Sequence, residues 1–320
     1  MKFNEILIFS AVLFTTFSNY NAHAEQTLFN KKKRGDDYLF TYHWQDINQQ
    51  KQSIEFLLPK KNLFSRFRSF KSYKRNIAAE SIKLSLKKHF RDNPIADVQL
   101  IFSQQSGNIQ TKISGKNNEK VNNAYQQVAK LEQQLTQQYL HENYYHLFTS
   151  YSGNQGIKPD HIRIANESVD DLKTIKPVIL DIVTVKNIRK VVNFILGFVQ
   201  TIPYETLQSR ATSSGAGFSP PLRLLWENKG DCDSKATLTI ALLRALMPRI
   251  KIALIFIDNH AVFGIDVPAE NNEPTVTFEG TTYVLADPTG PALMNIGQLG
   301  VTTKNIILSG NYSIETFGAL

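Results

Sequence analysis

Cysteine is the scarcest residue of this chain: 320 residues hold one, Cys232. A lone thiol excludes an intramolecular disulfide framework. Long apolar runs are also missing. Past the opening segment no stretch reaches the roughly 18 uninterrupted apolar residues of a membrane-spanning helix, so no transmembrane segment is expected in the mature chain. There is no Gly-rich phosphate loop, no EF-hand loop and no zinc-ligand spacing, so no cofactor and no metal are expected. His141 and His146 stand five apart, a poor spacing for one helix face, and read as surface residues.

What is present is ordinary for a folded protein: 42% hydrophobic and 20% charged residues, too apolar for a disordered chain. The first 24 residues read as a secretory signal. Lys2 opens it, "ILIFSAVLF" is its short apolar core, and Ala22 and Ala24 supply the small residues that a signal peptidase selects. The expected destination is the periplasm or the exterior. The net charge is +8. For an exported chain this points away from nucleic acid and toward an anionic envelope surface or an acidic substrate. Export also sharpens the question of Cys232, because oxidising compartments favour paired cysteines. A free thiol there is either a small buried hydrophobe or a nucleophile.

The pattern along the chain predicts an α+β protein of two domains. Residues 25 to 36 are polar and basic and read as a loose start. "YLFTYHW" and "QSIEFLL" read as a strand hairpin. "KKNLFSRFRSFKSYKR" spaces Phe64, Phe67, Phe70 and Tyr73 three apart among basic residues, a pattern that could line one side of a helix under a solvated basic face. A helix through Ile82, Leu86 and Phe90 follows, then a second hairpin turning at Gly107, then a Gln-rich helix running to residue 148. Residues 37 to 148 therefore read as strand, strand, helix, twice over. "SYSGNQGIKPD" marks the boundary between a basic N-terminal domain, 25 to 150, and a second domain, 157 to 320. The second domain opens with two helical stretches, the latter stopped by Pro203. After a small-residue loop and the Cys232 helix come three strands: "KIALIFI", "AVFGIDV" and "TTYVLAD".

The residues around the thiol decide its reading. Asp231 suits a helix N-cap and Gly230 permits a tight entry. Cys232 then falls in the first helical turn, where unpaired backbone N–H groups and the helix dipole favour an anion. A structural cysteine would sit more naturally on the apolar stripe in mid-helix. His260 follows 28 residues later, between two strands, and Asp287 27 residues after that, at the end of a third. A thiolate, an imidazole to carry its proton and a carboxylate to orient the imidazole form the set that nucleophilic catalysis needs.

"GDCDSKATLTIALLRAL", "DNHAVFGIDV" and "YVLADPTG", with "FVQTIPYE" and "LRLLWENKGDC" upstream, resemble the transglutaminase-like superfamily over residues 157 to 290. The resemblance implies a papain-like fold in which Cys232 is the nucleophile, His260 the base and Asp287 the orienter. It also implies Gln200 as an oxyanion-hole donor beside the Cys232 backbone N–H. Two features depart from the pattern: "AVF" follows His260 where many members carry "AW", and "SGAGFSPP" replaces a loop that often carries an arginine. The function implied is exported, cysteine-dependent acyl transfer on peptide or isopeptide amides, with a peptide or protein as substrate. Its alternatives are an amine-transferring transglutaminase and a non-catalytic envelope-binding module on the same fold.

Overall fold

A computed structural model describes residues 24–68, 70–183, 187–208 and 217–318. Residues 1–23, within the stretch expected to be a secretory signal, and residues 209–216 of the small-residue loop lie outside the described residues. The chain is α+β, with every paired strand antiparallel.

Strands β1 (Glu25–Arg34), β2 (Asp37–Gln45) and β3 (Lys51–Pro59) form a meander. From Phe40 on, β2 and β3 keep a period of two: Phe40, Tyr42, Trp44, Ile54, Phe56 and Leu58 are buried while His43, Glu55 and Leu57 face out. Residues 25 to 34 are a strand rather than the loose start that their polarity suggested. β2 supplies a partner for their backbone, and Lys31 lies across the Trp226 ring, its Nζ donating to the Trp226 carbonyl at 2.6 Å.

The basic aromatic stretch is only briefly helical. α1 covers Lys60–Ser65, and Phe67 takes a positive φ of 53° that no helix accommodates. Its rings scatter instead of sharing one face: Phe64 packs on Trp226, Phe67 on Tyr144 and Phe70 on Tyr145. Next, α2 (Arg75–Asp92), β4 (Val98–Gln105), β5 (Asn108–Gly115) and α3 (Asn118–Glu142) enclose their own core of Ile82, Leu86, Phe90, Phe102, Ile113, Ala124 and Val128. α3 stops six residues short of the expected end, because Tyr144 turns the chain with φ 61° into β6 (Tyr145–Thr149), which pairs with β7 (Gln155–Pro159).

Helices α4 (His161–Leu172), α5 (Lys176–Ile182), α6 (Ile188–Thr201), α7 (Pro221–Glu227) and α8 (Cys232–Leu246) follow. The expected single helix before α6 is two, divided by a 3-10 turn at Lys173–Ile175, with Pro177 in the first turn of α5 where its missing N–H costs nothing. Strands β8 (Ile252–Ile257), β9 (His260–Ile265), β10 (Thr275–Phe278), β11 (Thr281–Ala286) and β12 (Ser313–Phe317) form a sheet in the order β10-β11-β9-β8-β12, with α9 (Val301–Leu308) before β12.

α8 is the axis of the molecule. Every residue from Ser234 to Leu246 is buried, which marks a helix enclosed on all sides rather than an amphipathic one. It lies against β9 on one side and against α4, α6 and α7 on others. The β1–β3 sheet closes the same core: Tyr42 meets Phe198 at 4.8 Å between ring centres, Trp44 meets Phe194 at 5.4 Å, and the Tyr42 hydroxyl donates to the Leu225 carbonyl at 3.0 Å. The cores therefore divide the chain differently from a boundary near residue 150. The first sheet shares a core with α4 to α8, and the segment from α2 to α3 has a core to itself.

Candidate functional site

The site is built at the N-terminus of α8. α7 ends on Asn228, in the left-handed region, whose side chain exchanges two hydrogen bonds with Gln26 of β1. Gly230 follows. A Cβ there would come within 2.7 Å of the buried Leu224 side chain, which would have to shift to admit it. Its N–H donates to Pro203 and its carbonyl accepts from Glu205, which pins the segment after α6 beside the start of α8. Asp231 then caps the helix, accepting from the Ser234 N–H at 3.2 Å. Cys232 is the first helical residue, partly buried, its backbone N–H among those that a helix leaves without an internal acceptor.

Two antiparallel strands deliver the partners. A two-residue turn, Asp258–Asn259, joins β8 to β9, so that Ile257 pairs with His260 and the histidine stands at the very start of β9. β11 pairs with β9 up to Ala286 opposite Phe263. One residue further, Asp287 is the diagonal neighbour of His260 on the same face, within reach of a short side chain. His260 Nε2 donates to Asp287 Oδ2 at 2.7 Å, and the Cys232 side chain is close enough to the ring to raise its hold on a proton. With Nε2 taken by Asp287, Nδ1 is the nitrogen left for the sulfur. Burial works against a charged ring, but the hydrogen bonds and charges of Asp287 and Cys232 outweigh it and push His260 up to about 10. The second oxygen of Asp287 accepts from the Thr289 N–H at 2.9 Å, so the carboxylate is held at both ends.

Cys232, His260 and Asp287 thus come together. Gln200 does not join them as an oxyanion donor, and the expectation is corrected. Its Nε2 donates to the Asp287 carbonyl at 2.7 Å and to the Met294 carbonyl at 2.9 Å, which uses both amide hydrogens, while its Oε1 accepts from the Met294 N–H. Gln200 is a buried brace that ties the last turn of α6 to the loop carrying Asp287. Gly290 makes the same junction close: a Cβ would stand 2.3 Å from the Gln200 carbonyl oxygen, and its φ of 68° suits glycine.

Five more residues shape this end of α8. Lys235, three residues past Cys232, is buried, and its Nζ donates to the Thr289 carbonyl at 2.5 Å, with the Gln200 carbonyl at 3.5 Å. Burial outweighs the attraction of Asp287 and brings Lys235 down to about 7. A lysine within "CDSKATLTIALL" was the sequence signal for it, since an ammonium in an otherwise apolar helix needs a partner. Asp231 and Asp233 flank the cysteine. Burial first, then Asp233, pushes Asp231 up to about 9, and the two are hydrogen-bonded to each other. Burial raises Asp233 as well, so both carboxyl groups flanking the sulfur hold a proton more tightly than a free aspartate does. Asp233 Oδ2 lies 3.0 Å from His161 Nε2. His161 is fully enclosed, and burial pushes it down to about 3, so a neutral ring donates to Asp233. Tyr204 stands at the lip, about half exposed, with Cys232, Asp231 and Asp233 close enough for their charges to bear on its phenol. Nothing in the spacing of His161 or Tyr204 could have found them.

Among the described residues no group of three or more His, Cys, Asp or Glu side chains could hold a metal ion, and no helix is long and apolar enough to cross a membrane. Compared with protein-family models, with curated proteins and with solved structures, the chain matches none.

Proposed function

We propose that the chain is an exported, cysteine-dependent acyl-transfer enzyme with a papain-like, transglutaminase-like site, acting on peptide or isopeptide amides and passing the acyl group to water. The observation that carries this reading is the His260 ring, 2.7 Å from a doubly held Asp287 and close enough to the Cys232 side chain for the thiol to raise it.

In this reading the Cys232 thiol passes its proton to His260, the sulfur forms a bond to the amide carbonyl carbon, and the electron pair of the C=O π bond moves to oxygen. The Cys232 backbone N–H faces that oxyanion. With the Gln200 amide engaged elsewhere, the Tyr204 hydroxyl at the lip supplies the second hydrogen bond. The carbonyl re-forms, the C–N bond breaks, and the His260 proton goes to the leaving nitrogen. A water then gives a proton to His260 and adds to the thioester, the C–S bond breaks, and the thiol regains its proton. Asp287 keeps the ring oriented and favours its charged form throughout.

The test uses p-nitrophenyl acetate as an acyl probe. The expected result is a burst of nitrophenolate equal to the protein present, with the acetyl group mapped to Cys232 by mass spectrometry and lost in Cys232→Ala. A protein that carries no acyl group on Cys232, or a Cys232→Ala variant that reacts as well, overturns the reading. Adding a primary amine then separates the two acceptors, since an amide product would mark amine transfer instead of hydrolysis.

A further inference from the structure

We propose that the groove between α2 and the free edge of β4 takes the C-terminal tail of another protein as an added strand. The inference goes beyond the acyl-transfer reading and does not rest on it.

The sheet under α2 and α3 is narrower than the helical layer above it. Ile82, Leu86 and Phe90 of α2 and Ala124 and Val128 of α3 close one core with Phe102 and Ile113, so both helices lie on the same face of the hairpin. Packed helices stand about 8–10 Å apart and paired strands about 4.8 Å, so two helices cover about four strands. Here they cover two. The overhang shows on the side of α2 that overlooks β4. Ile77 and Leu84 are 56% and 55% exposed and line a groove with Gln104, and Lys87 and Arg91 line its continuation beside residues 98–102.

The hairpin turn fixes which backbone groups face that groove. Ser106 and Gly107 have φ of 50° and 76°, the signs of a two-residue type I′ turn, and Gln105 pairs with Asn108. The pair flanking such a turn exchanges both its hydrogen bonds, and the pattern alternates from there. Gln105, Ser103 and Ile101 therefore bond to β5, while Gln104, Phe102 and Leu100 turn their N–H and C=O outward. Val98 keeps the phase, since its N–H leaves the sheet for the Ile95 carbonyl at 3.2 Å. The N–H groups of Leu100, Phe102 and Gln104 have no acceptor among the described residues. Such an edge pairs readily with an extended chain.

Direction and charge select the occupant. Gln104 Nε2 donates to the Asn76 carbonyl at 3.1 Å, at the start of α2, so β4 runs back along the helix. A strand added antiparallel, the stabler pairing per residue, runs the way α2 runs and ends beside Lys87 and Arg91. Lys87 meets no carboxylate among the described residues, and Arg91 reaches only its neighbour Asp92, in an exposed contact that contributes little. Glu80, the acidic side chain of the groove, is held by Lys83 at 2.7 Å. A terminal carboxylate therefore meets two cations. The dipole of α2 opposes it with about half a charge, which the two cations outweigh. The lengths also agree: Ile77 to Arg91 is about 21 Å of helix, and about six residues of strand match it. Alternate side chains of the tail then lie under Ile77 and Leu84, where apolar residues fit.

The test passes the full chain over a displayed library of random heptapeptides with free C-termini, and the recovered sequences are synthesised. They should alternate apolar residues toward the free carboxylate. Amidating that carboxylate should weaken binding about fivefold, the size of an exposed ion pair, and Leu84→Asp should weaken it about tenfold or more. In NMR exchange measurements the bound tail should slow the amides of Leu100, Phe102 and Gln104 by about tenfold or more. Ile101 and Ser103, already paired with β5, should stay as they were. This arm uses the wild-type chain and stands even if Leu84→Asp fails to fold. A library that yields no binder, or a bound tail that protects none of the three amides, overturns the proposal. So does protection of these amides in the free chain that grows with its own concentration, which would make a second copy the occupant. No arm reads acylation of Cys232, so a failure here and a failure of the enzymatic reading are told apart.

Discussion

Two histidine–aspartate pairs flank Cys232, and they behave in opposite ways. His260 and Asp287 are 2.7 Å apart, and His161 and Asp233 are 3.0 Å apart. Yet His260 is pushed up to about 10 and His161 down to about 3. The hydrogen-bond length does not separate them; the surroundings do. The His260 side chain keeps 21% of its surface exposed and meets a carboxylate whose other oxygen is held by a backbone N–H, with the Cys232 side chain on its far side. His161 is enclosed by the rings of Phe218 and Phe256, and its carboxylate partner neighbours Asp231, which burial and then Asp233 push up to about 9. One pair can carry a proton at physiological pH. The other is a neutral strut under the helix that presents the thiol.

The sharpest way to break this comparison is to remove each carboxylate's charge in turn. Asp287→Asn should lower acylation of Cys232 by about three to four orders of magnitude, since the ring loses both its orientation and its charge. Asp233→Asn should lower it less than about tenfold and act mainly on stability, by about 1–3 kcal/mol, through the buried hydrogen bond it weakens. Acylation burst rates and denaturant melts on the same samples check both, and equal losses of acylation would erase the distinction.

A second, smaller effect lies in the pH dependence of stability. The raised His260 contributes stability that is fully present below about pH 6.5 and is lost as pH climbs toward about 10. The depressed His161 has the reverse sign: its contribution is present above about pH 6.5 and is lost as pH falls toward about 3. Lys235, brought down to about 7, adds stability between there and its ordinary value near 10.5 and partly offsets the alkaline loss. Melting temperatures across the range should show a shallower acid limb in His161→Gln and a shallower alkaline limb in His260→Gln. Identical curves for the two variants would contradict the opposite environments.

The smallest change is expected at Asp231. Asparagine caps a helix about as well as aspartate, within roughly 1 kcal/mol. With Asp231 pushed up by burial and then by Asp233, Asp231→Asn should leave both the melting midpoint and the rate of Cys232 alkylation by iodoacetamide nearly unchanged at neutral pH. A severalfold faster alkylation would mean that Asp231 had carried a negative charge against the sulfur.

Much of the α+β layout was legible in local pattern. The alternation in β2 and β3, the hairpin at Gly107 and the capped start of α8 are each written within a few residues. β1, β6 and β7 were not, because a Lys-rich or Ser- and Gly-rich segment becomes a strand only when a partner strand satisfies its backbone. The same contrast runs through the site. Cys232 at a helix start and His260 and Asp287 at strand ends could be picked out by the turn chemistry around them. Gln200 was also picked out, and there the position was found but not the role, because an amide's role is set by which carbonyls it meets, and those stand 87 and 94 residues away.

By itself, then, the sequence determined where one thiol would meet a helix N-terminus and which imidazole and carboxylate would follow on neighbouring strands. Those are short-range facts of capping, turns and strand register. The tertiary structure alone decided that Lys235 would be buried against the Thr289 and Gln200 carbonyls, that burial would raise both aspartates beside the sulfur, and that one histidine would be raised and the other lowered. Charge in a protein interior is governed by desolvation and by neighbours brought together from distant parts of the chain, and no local pattern records either.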